Sequence, residues 1–231
     1  MRPPGRSEGR SHRRPSGRRL PDRTRRLARM PAARSPAPAA EPRRFATARA
    51  FDTWLRQQHA SSDGTWLLFA KAGADKPTLS YPEAIEVALC WGWIDGQKKS
   101  IDPHWWMQRF TPRRARSLWS KINCGKAEAL VAANRMQPAG EAEIARAKAD
   151  GRWEQAYEGA RTSRVPDDLR AALDAQPAAA VFFADLDATN RYAVLWRVQT
   201  AQKPQTRARR IETLVAMLAR GERIHQRSPK A

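Results

Sequence analysis

The side chains best placed to do chemistry in this 231-residue sequence are arginines. Between Gln97 and Lys126 eight basic residues stand against one acid, Asp102. Arg109, Arg113, Arg114 and Arg116 crowd into the stretch before Ser117, which is placed to cap a helix running through Asn123. Free backbone N–H groups and the helix dipole favour an anion at such a start and disfavour cations. The same holds for Arg207, Arg209 and Arg210 near the start of the last helix. Cations placed against the dipole point to an anionic partner or ligand. Arg109, Arg113, Arg114, Ser117 and Asn123 are therefore the candidate anion-binding set. The alternative is that these arginines pair with nearby carboxylates, as charge runs usually do.

Other chemistry is thinner. Trp105 and Trp106 interleave with basic residues, and alternation along a strand sends them to opposite faces, where one could stack on a base or cover a ligand. Asp95 with Arg109 or Arg113 in a Trp-lined pocket is the one enzymatic arrangement on offer; the plainer reading of Asp95-Gly96 is a turn. His12 and His225 lie in expected tails, and His59 and His104 form no helical pair of the zinc-protease kind. Cys90 and Cys124 lack metal-ligand spacing, and Cys90 beside Leu89 reads as a buried structural thiol. No catalytic residue, metal or cofactor is implied.

The elements that must carry these residues follow from charge and periodicity. The net charge of +20 is uneven: residues 1–44 hold 14 arginines, three acids and eight of the 17 prolines. That stretch reads as a disordered tail, because it cannot bury enough apolar surface to offset the entropy of ordering. It lacks the apolar core of a secretory signal, and its prolines oppose a transit-type amphipathic helix, so the expected location is the cytoplasm. No run is long and apolar enough to cross a bilayer. Residues 191–231 carry ten basic and two acidic side chains, whereas 45–96 with 127–190 are net acidic, so the body is polarised. A face shared by the basic stretches would attract anions.

Thr47 can cap a helix that turns Phe51, Trp54 and Leu55 inward. Thr65–Lys71 reads as a strand. Ser80-Tyr81-Pro82-Glu83 combines a capping box with a proline in the first turn, and its helix should end at Gly92. Gln97–Phe110 suggests two strands joined around Asp102-Pro103. Ser117 should open a helix with Leu118, Ile122 and Leu130 inside, residues 137–140 a break, and residues 141–149 a short helix. Three more helices are expected over 167–175, 177–186 and 189–202. Val181 and Phe182 should face inward in the second of them, Leu195 and Trp196 in the third. A final helix presents Ile211, Leu214, Val215 and Leu218 and stops before Gly221. The fold class is α+β, a small antiparallel sheet packed with helices and followed by a C-terminal helical module. The expected boundaries are a tail at 1–44, an α+β domain at 45–160, the helical module at 161–221, and a second disordered tail at 222–231.

Three runs carry a family resemblance: Leu89-Cys90-Trp91-Gly92-Trp93-Ile94-Asp95-Gly96, then Arg109-Phe110-Thr111-Pro112-Arg113-Arg114, then Ser117-Leu118-Trp119-Ser120-Lys121-Ile122-Asn123. In order and spacing they resemble the bacterial YdeI/OmpD-associated family. Cys90, Gly92, Trp93, Asp95, Gly96, Phe110, Pro112 and Trp119 stand at its motif positions. Val165–Leu169 through Thr206–Ile211 resembles the short helical module named for bacteriocin protection. The resemblance covers about residues 45–221 and transfers no catalytic residue. Its name implies protection against antimicrobial peptides and association with an outer-membrane porin. The leading expectation is therefore a non-enzymatic protein of this kind. Its rivals are an anion or nucleic-acid binding module, whose partner would be a polyanion or a phosphate-bearing ligand, and an enzyme of unknown reaction.

Overall fold

The computed structural model describes residues 41–74 and 77–226. Among them are eight helices and one three-stranded antiparallel sheet, so the chain is α+β. Residues 1–40 of the tail expected at 1–44, and the last residues, 227–231, lie outside the described residues.

The ordered chain begins before Phe45. Arg43 donates its N–H to the Trp66 carbonyl (2.7 Å) and accepts from the Leu68 N–H (2.9 Å), lying parallel beside strand β1 (Thr65–Ala70). Two backbone bonds and a guanidinium 5.4 Å from the Trp54 ring hold it there. Helix α1 (Ala48–Gln58) is capped by Thr47 and buries Phe51 and Leu55. Helix α2 (Tyr81–Cys90) opens with the full capping box of Ser80 and Glu83, with a proline in its first turn. Strands β2 (Trp93–Ser100) and β3 (Trp105–Pro112) form a hairpin, and the sheet order is β1-β3-β2. Register places Phe69, Trp106, Gln108, Phe110 and Asp95 on one face, and Trp66, Met107, Arg109 and Thr111 on the other.

Asp95-Gly96 is not a turn. It lies within β2 at a register shift between Asp95 and Lys98, a bulge that leaves the strand paired on both sides. The Tyr81 hydroxyl donates to Asp95 (2.7 Å), as does Gln108 Nε2 (3.2 Å). Burial and then Asp95 raise the Tyr81 pKa well above the ordinary tyrosine range.

The helix expected at Ser117 starts three residues later. Ser120 caps α3 (Lys121–Ala132), accepting from the Asn123 N–H at 3.1 Å, while the Ser117 hydroxyl accepts from the Arg114 N–H at 2.9 Å and closes a turn. Cys124, Ala127 and Leu130 take the inner face of the helix, and Ile122, expected inside, is 58% exposed. Residues 137–140 are no break either. Pro138 opens α4 (Pro138–Ala149), since the first turn of a helix tolerates a missing N–H. Its Gly140 packs on the end of α2: a Cβ there would meet the Cys90 carbonyl oxygen at 2.4 Å and that of Leu89 at 2.7 Å. Gly92, at φ +71°, turns the chain out of α2 beside the same contact.

These elements share one buried cluster with Phe51, Leu67, Trp93, Phe110 and Trp119 at its centre. A second cluster, around Leu169, Phe183, Val194, Val198 and Leu218, belongs to α5 (Asp167–Asp174), α6 (Pro177–Ala184), α7 (Ala188–Gln199) and α8 (Pro204–Ala219). Two expected inward residues turn out. Val181 is 73% exposed because Phe183 and Ala179 take the inner face of α6, and Trp196 is 37% exposed because Val194, Leu195 and Val198 fill the inner face of α7.

The segment after α8 is pinned as far as residue 226 is described. Asn190, itself buried, accepts from the His225 N–H (2.8 Å) and donates to the His225 carbonyl (3.1 Å). Arg223 reaches Asp185 (3.7 Å) and Asp187 (3.6 Å). The boundary expected at 222 therefore falls inside ordered chain.

Candidate anion-binding site

The arginines singled out before Ser117 are not brought together. Arg109 lies on the sheet face opposite Asp95, opposite Trp66 in the register. Arg114 is exposed, and Asn123 contributes only its backbone N–H to the Ser120 cap. Arg113 goes inside. It is 5% exposed, its backbone N–H donates to the Gly92 carbonyl (3.0 Å), and its guanidinium lies 3.5 Å from the centre of the Trp119 ring. Nη1 donates to the Leu118 carbonyl (3.2 Å), while Nε and Nη2 are buried with no hydrogen-bond partner. Burial pulls its pKa down to about 10. Arg152 grips the preceding carbonyl, Ser117, at 2.8 Å, and pairs with Asp150. Pro112 and Trp119 thus build an interior corner around Arg113 and leave no open anion seat. Neither Arg109 nor Arg113 forms an ion pair with Asp95, so the residues of the enzymatic arrangement are not assembled.

The second group of arginines divides. Arg207 is a clasp: two of its nitrogens meet Asp168 at 2.6 and 2.8 Å, and Nη1 donates to the Val198 carbonyl at 2.8 Å. Hydrogen bonding to Arg207 lowers the Asp168 pKa. Arg209 is exposed, and its side chain has no carboxylate or hydrogen-bond partner among the described residues. Arg210 donates to the Arg197 carbonyl (2.7 Å) and to the Thr200 hydroxyl (3.3 Å). Arg197 itself donates only to the Ala193 carbonyl (2.9 Å). Both guanidiniums are held in place by neutral oxygens, which orient them without cancelling their charge.

Arg197, Arg209, Arg210 and Arg223 line one cavity of about 730 Å³ between the C-terminal half of α7 and α8. Leu118, between β3 and α3, lines it as well, as does Ile224. Thr200, Thr213 and Trp196 also line it, and among the described residues no Asp or Glu does. Helix periodicity produces the arrangement. Thr213 and Met217 follow Arg209 and Arg210 by one and two turns on α8, while Arg197 and Thr200 stand one turn apart on α7. Among the described residues, of the four guanidiniums only that of Arg223 has carboxylates within ion-pair distance. Such a cleft attracts an anion through complementary charge and planar donor groups.

Sequence reasoning placed Arg209 and Arg210 at a helix start but missed Arg197, Trp196 and Arg223. The surplus of positive charge over residues 191–231 was the available signal. Among the described residues no cluster of His, Cys, Asp and Glu could hold a metal ion, and no helix is long and apolar enough to cross a membrane.

The fold and site define an α+β protein that joins a small sheet domain to a helical module bearing an arginine-lined cleft. Residues 162–221, which supply all of the cleft but Leu118, Arg223 and Ile224, match the family described as Bacteriocin-protection, YdeI or OmpD-Associated. Residues 43–143 match a domain of unknown function, DUF8412. The motif runs of residues 89–123 therefore fall within that domain and not within the OmpD-associated module. No curated protein and no solved structure is significantly similar to the chain.

Proposed function

We propose that the chain is a binding module for a phosphate-bearing anion, seated in the cleft between α7 and α8. One observation carries this reading: among the described residues four arginines and no Asp or Glu line a cavity of ligand size, and three of the four have no acidic partner. Concentrating like charge without a counter-ion raises the energy of the empty site, and an anion relieves that repulsion while satisfying the free N–H groups. The volume suits a small molecule. The same walls repel a cationic antimicrobial peptide, so direct capture of such a peptide there is disfavoured by charge.

The test is a thermal melt of the full chain in pyrophosphate against sodium chloride of equal ionic strength. At ligand concentrations ~100-fold above the dissociation constant the gain is about 2.7 kcal/mol, a rise of roughly 5–10 °C. Arg197→Ala with Arg209→Ala should abolish the rise and leave the melt in chloride no lower than that of wild type, since neither side chain has an acidic partner among the described residues. No rise in wild type, or a rise that survives in the double variant, would remove the reading.

A further inference from the structure

A second cavity, of about 600 Å³, shares two walls with the arginine cleft: Trp196 and Arg197 line both. Their far sides differ. The first cavity sets four arginines and two threonines among aliphatic residues such as Leu214, Met217 and Ile224; the second is lined by Tyr157, Tyr192 and His225 as well as the shared tryptophan. The Tyr157 ring stands edge-on to Trp196 at 6.2 Å between centroids. The Tyr192 hydroxyl donates to the Glu158 carbonyl at 3.0 Å, which fixes its ring against the wall. His225 closes the far end and is held by the two backbone bonds to Asn190. The residues on either side of the ridge are thus anchored by interactions within the protein.

Resting on the anion-binding reading above, we infer that the ligand is a small phosphate ester carrying a planar aromatic ring, of the nucleoside phosphate class, with its phosphate among the arginines and its ring in the neighbouring cavity. Three features combine to give this chemistry. Trp196 is the largest exposed aromatic of the helical module and stands at the junction of the two cavities. A large apolar ring left in water at a cavity mouth gains by stacking on a ligand ring, and such stacking accepts any flat π-system. Arg197 lines the same junction, where a guanidinium can bond a phosphate through its edge and pack a ring against its face. Inorganic phosphate alone would leave the aromatic cavity unused. A long nucleic-acid strand would need a continuing basic track, whereas the wall beyond Trp196 is tyrosine, alanine and histidine.

The experiment is a calorimetric titration of the full chain with pyrophosphate, adenosine, ADP, GDP, UDP, flavin mononucleotide and a ten-nucleotide deoxythymidine strand, repeated with Trp196→Ala and Trp196→Phe. The expected result is that at least one of the ring-bearing phosphates binds about tenfold or more tighter than pyrophosphate. Adenosine alone should bind too weakly to measure. Trp196→Ala should bring the ring-bearing ligands down to the pyrophosphate level without altering pyrophosphate binding, and Trp196→Phe should restore most of the difference. If every ring-bearing phosphate binds no tighter than pyrophosphate, the inference is overturned while the anion reading stands. If pyrophosphate fails to bind as well, both fall. Tight binding of the oligonucleotide alone would overturn the inference in favour of a nucleic-acid strand.

Discussion

Gly140→Ala should lower the stability of the chain by about 3 kcal/mol, although alanine is the better helix former by ~1 kcal/mol. The new methyl would stand 2.4 Å from the Cys90 carbonyl oxygen, 2.5 Å from Met136 Sδ and 2.7 Å from the Leu89 carbonyl oxygen. The methionine end can swing aside. The two carbonyls belong to the last turn of α2 and cannot, so α4 must move off and strain the bond from the Gln137 N–H to the Cys90 carbonyl (3.1 Å). Gly125→Ala is the matched control. It lies in α3 with nothing within 4 Å of the added carbon, so propensity alone acts and the variant should gain roughly 0.5–1 kcal/mol. Chemical denaturation of the two variants beside wild type measures both signs. Equal effects would show that the contact between α2 and α4 is looser than described.

The second large effect falls on the corner around Arg113. Trp119→Ala removes a ring that is 2% exposed, tilted against Trp153 at 4.8 Å and stacked under the Arg113 guanidinium. A loss of about 3–5 kcal/mol is expected, or roughly 6–20 °C in melting temperature. Arg113→Met should behave otherwise. Its cation gains about 2 kcal/mol from the ring and about 1.5–3 kcal/mol from the Leu118 carbonyl. Burying a charge without an ionic partner costs several kcal/mol, and two N–H groups stay unpaired. These effects nearly cancel, so a methionine that keeps the apolar contact should melt close to wild type. Arg113→Ala opens a cavity and should cost about 2–4 kcal/mol. If methionine proves as damaging as alanine, the guanidinium has a charged partner that the geometry does not show.

Much of the architecture was readable before the structure. The capping box at Ser80 and Glu83, Thr47 before α1, and the spacing of Ile211, Leu214, Val215 and Leu218 are local signals, and each falls where expected. The errors arise where a distant contact decides between local options. The cap expected at Ser117 falls to Ser120. Ser120 takes the role because Trp119 is buried against Trp153, and the backbones of Trp119 and Lys121 bond to Tyr157 from some 37 residues away. Arg113 looked like a surface cation because charge runs usually are, and no pattern announces that a tryptophan six residues on will cover it.

The candidate site was half legible for the same reason. Charge density picked out residues 191–231, and the crowding near the last helix start picked out Arg209 and Arg210. Trp196 was expected on the inner face of α7 and lies outside, because Val194, Leu195 and Val198 fill that side, and Arg197 beside it carried no local signal. Arg223 and His225 follow Gly221, where a tail is the natural reading. Only Asp185, Asp187 and Asn190, brought near by the packing of α6, α7 and α8, fasten them to the cleft.

The most direct measurement of the central claim is a crystal structure of the chain grown in tungstate, a heavy tetrahedral stand-in for phosphate whose position follows from its anomalous scattering. The account predicts a peak in the cleft between α7 and α8, within hydrogen-bond distance of Arg209 or Arg210 and of Arg197. Peaks confined to other basic residues, such as Arg114 and Arg116, with the cleft filled only by water, would contradict it.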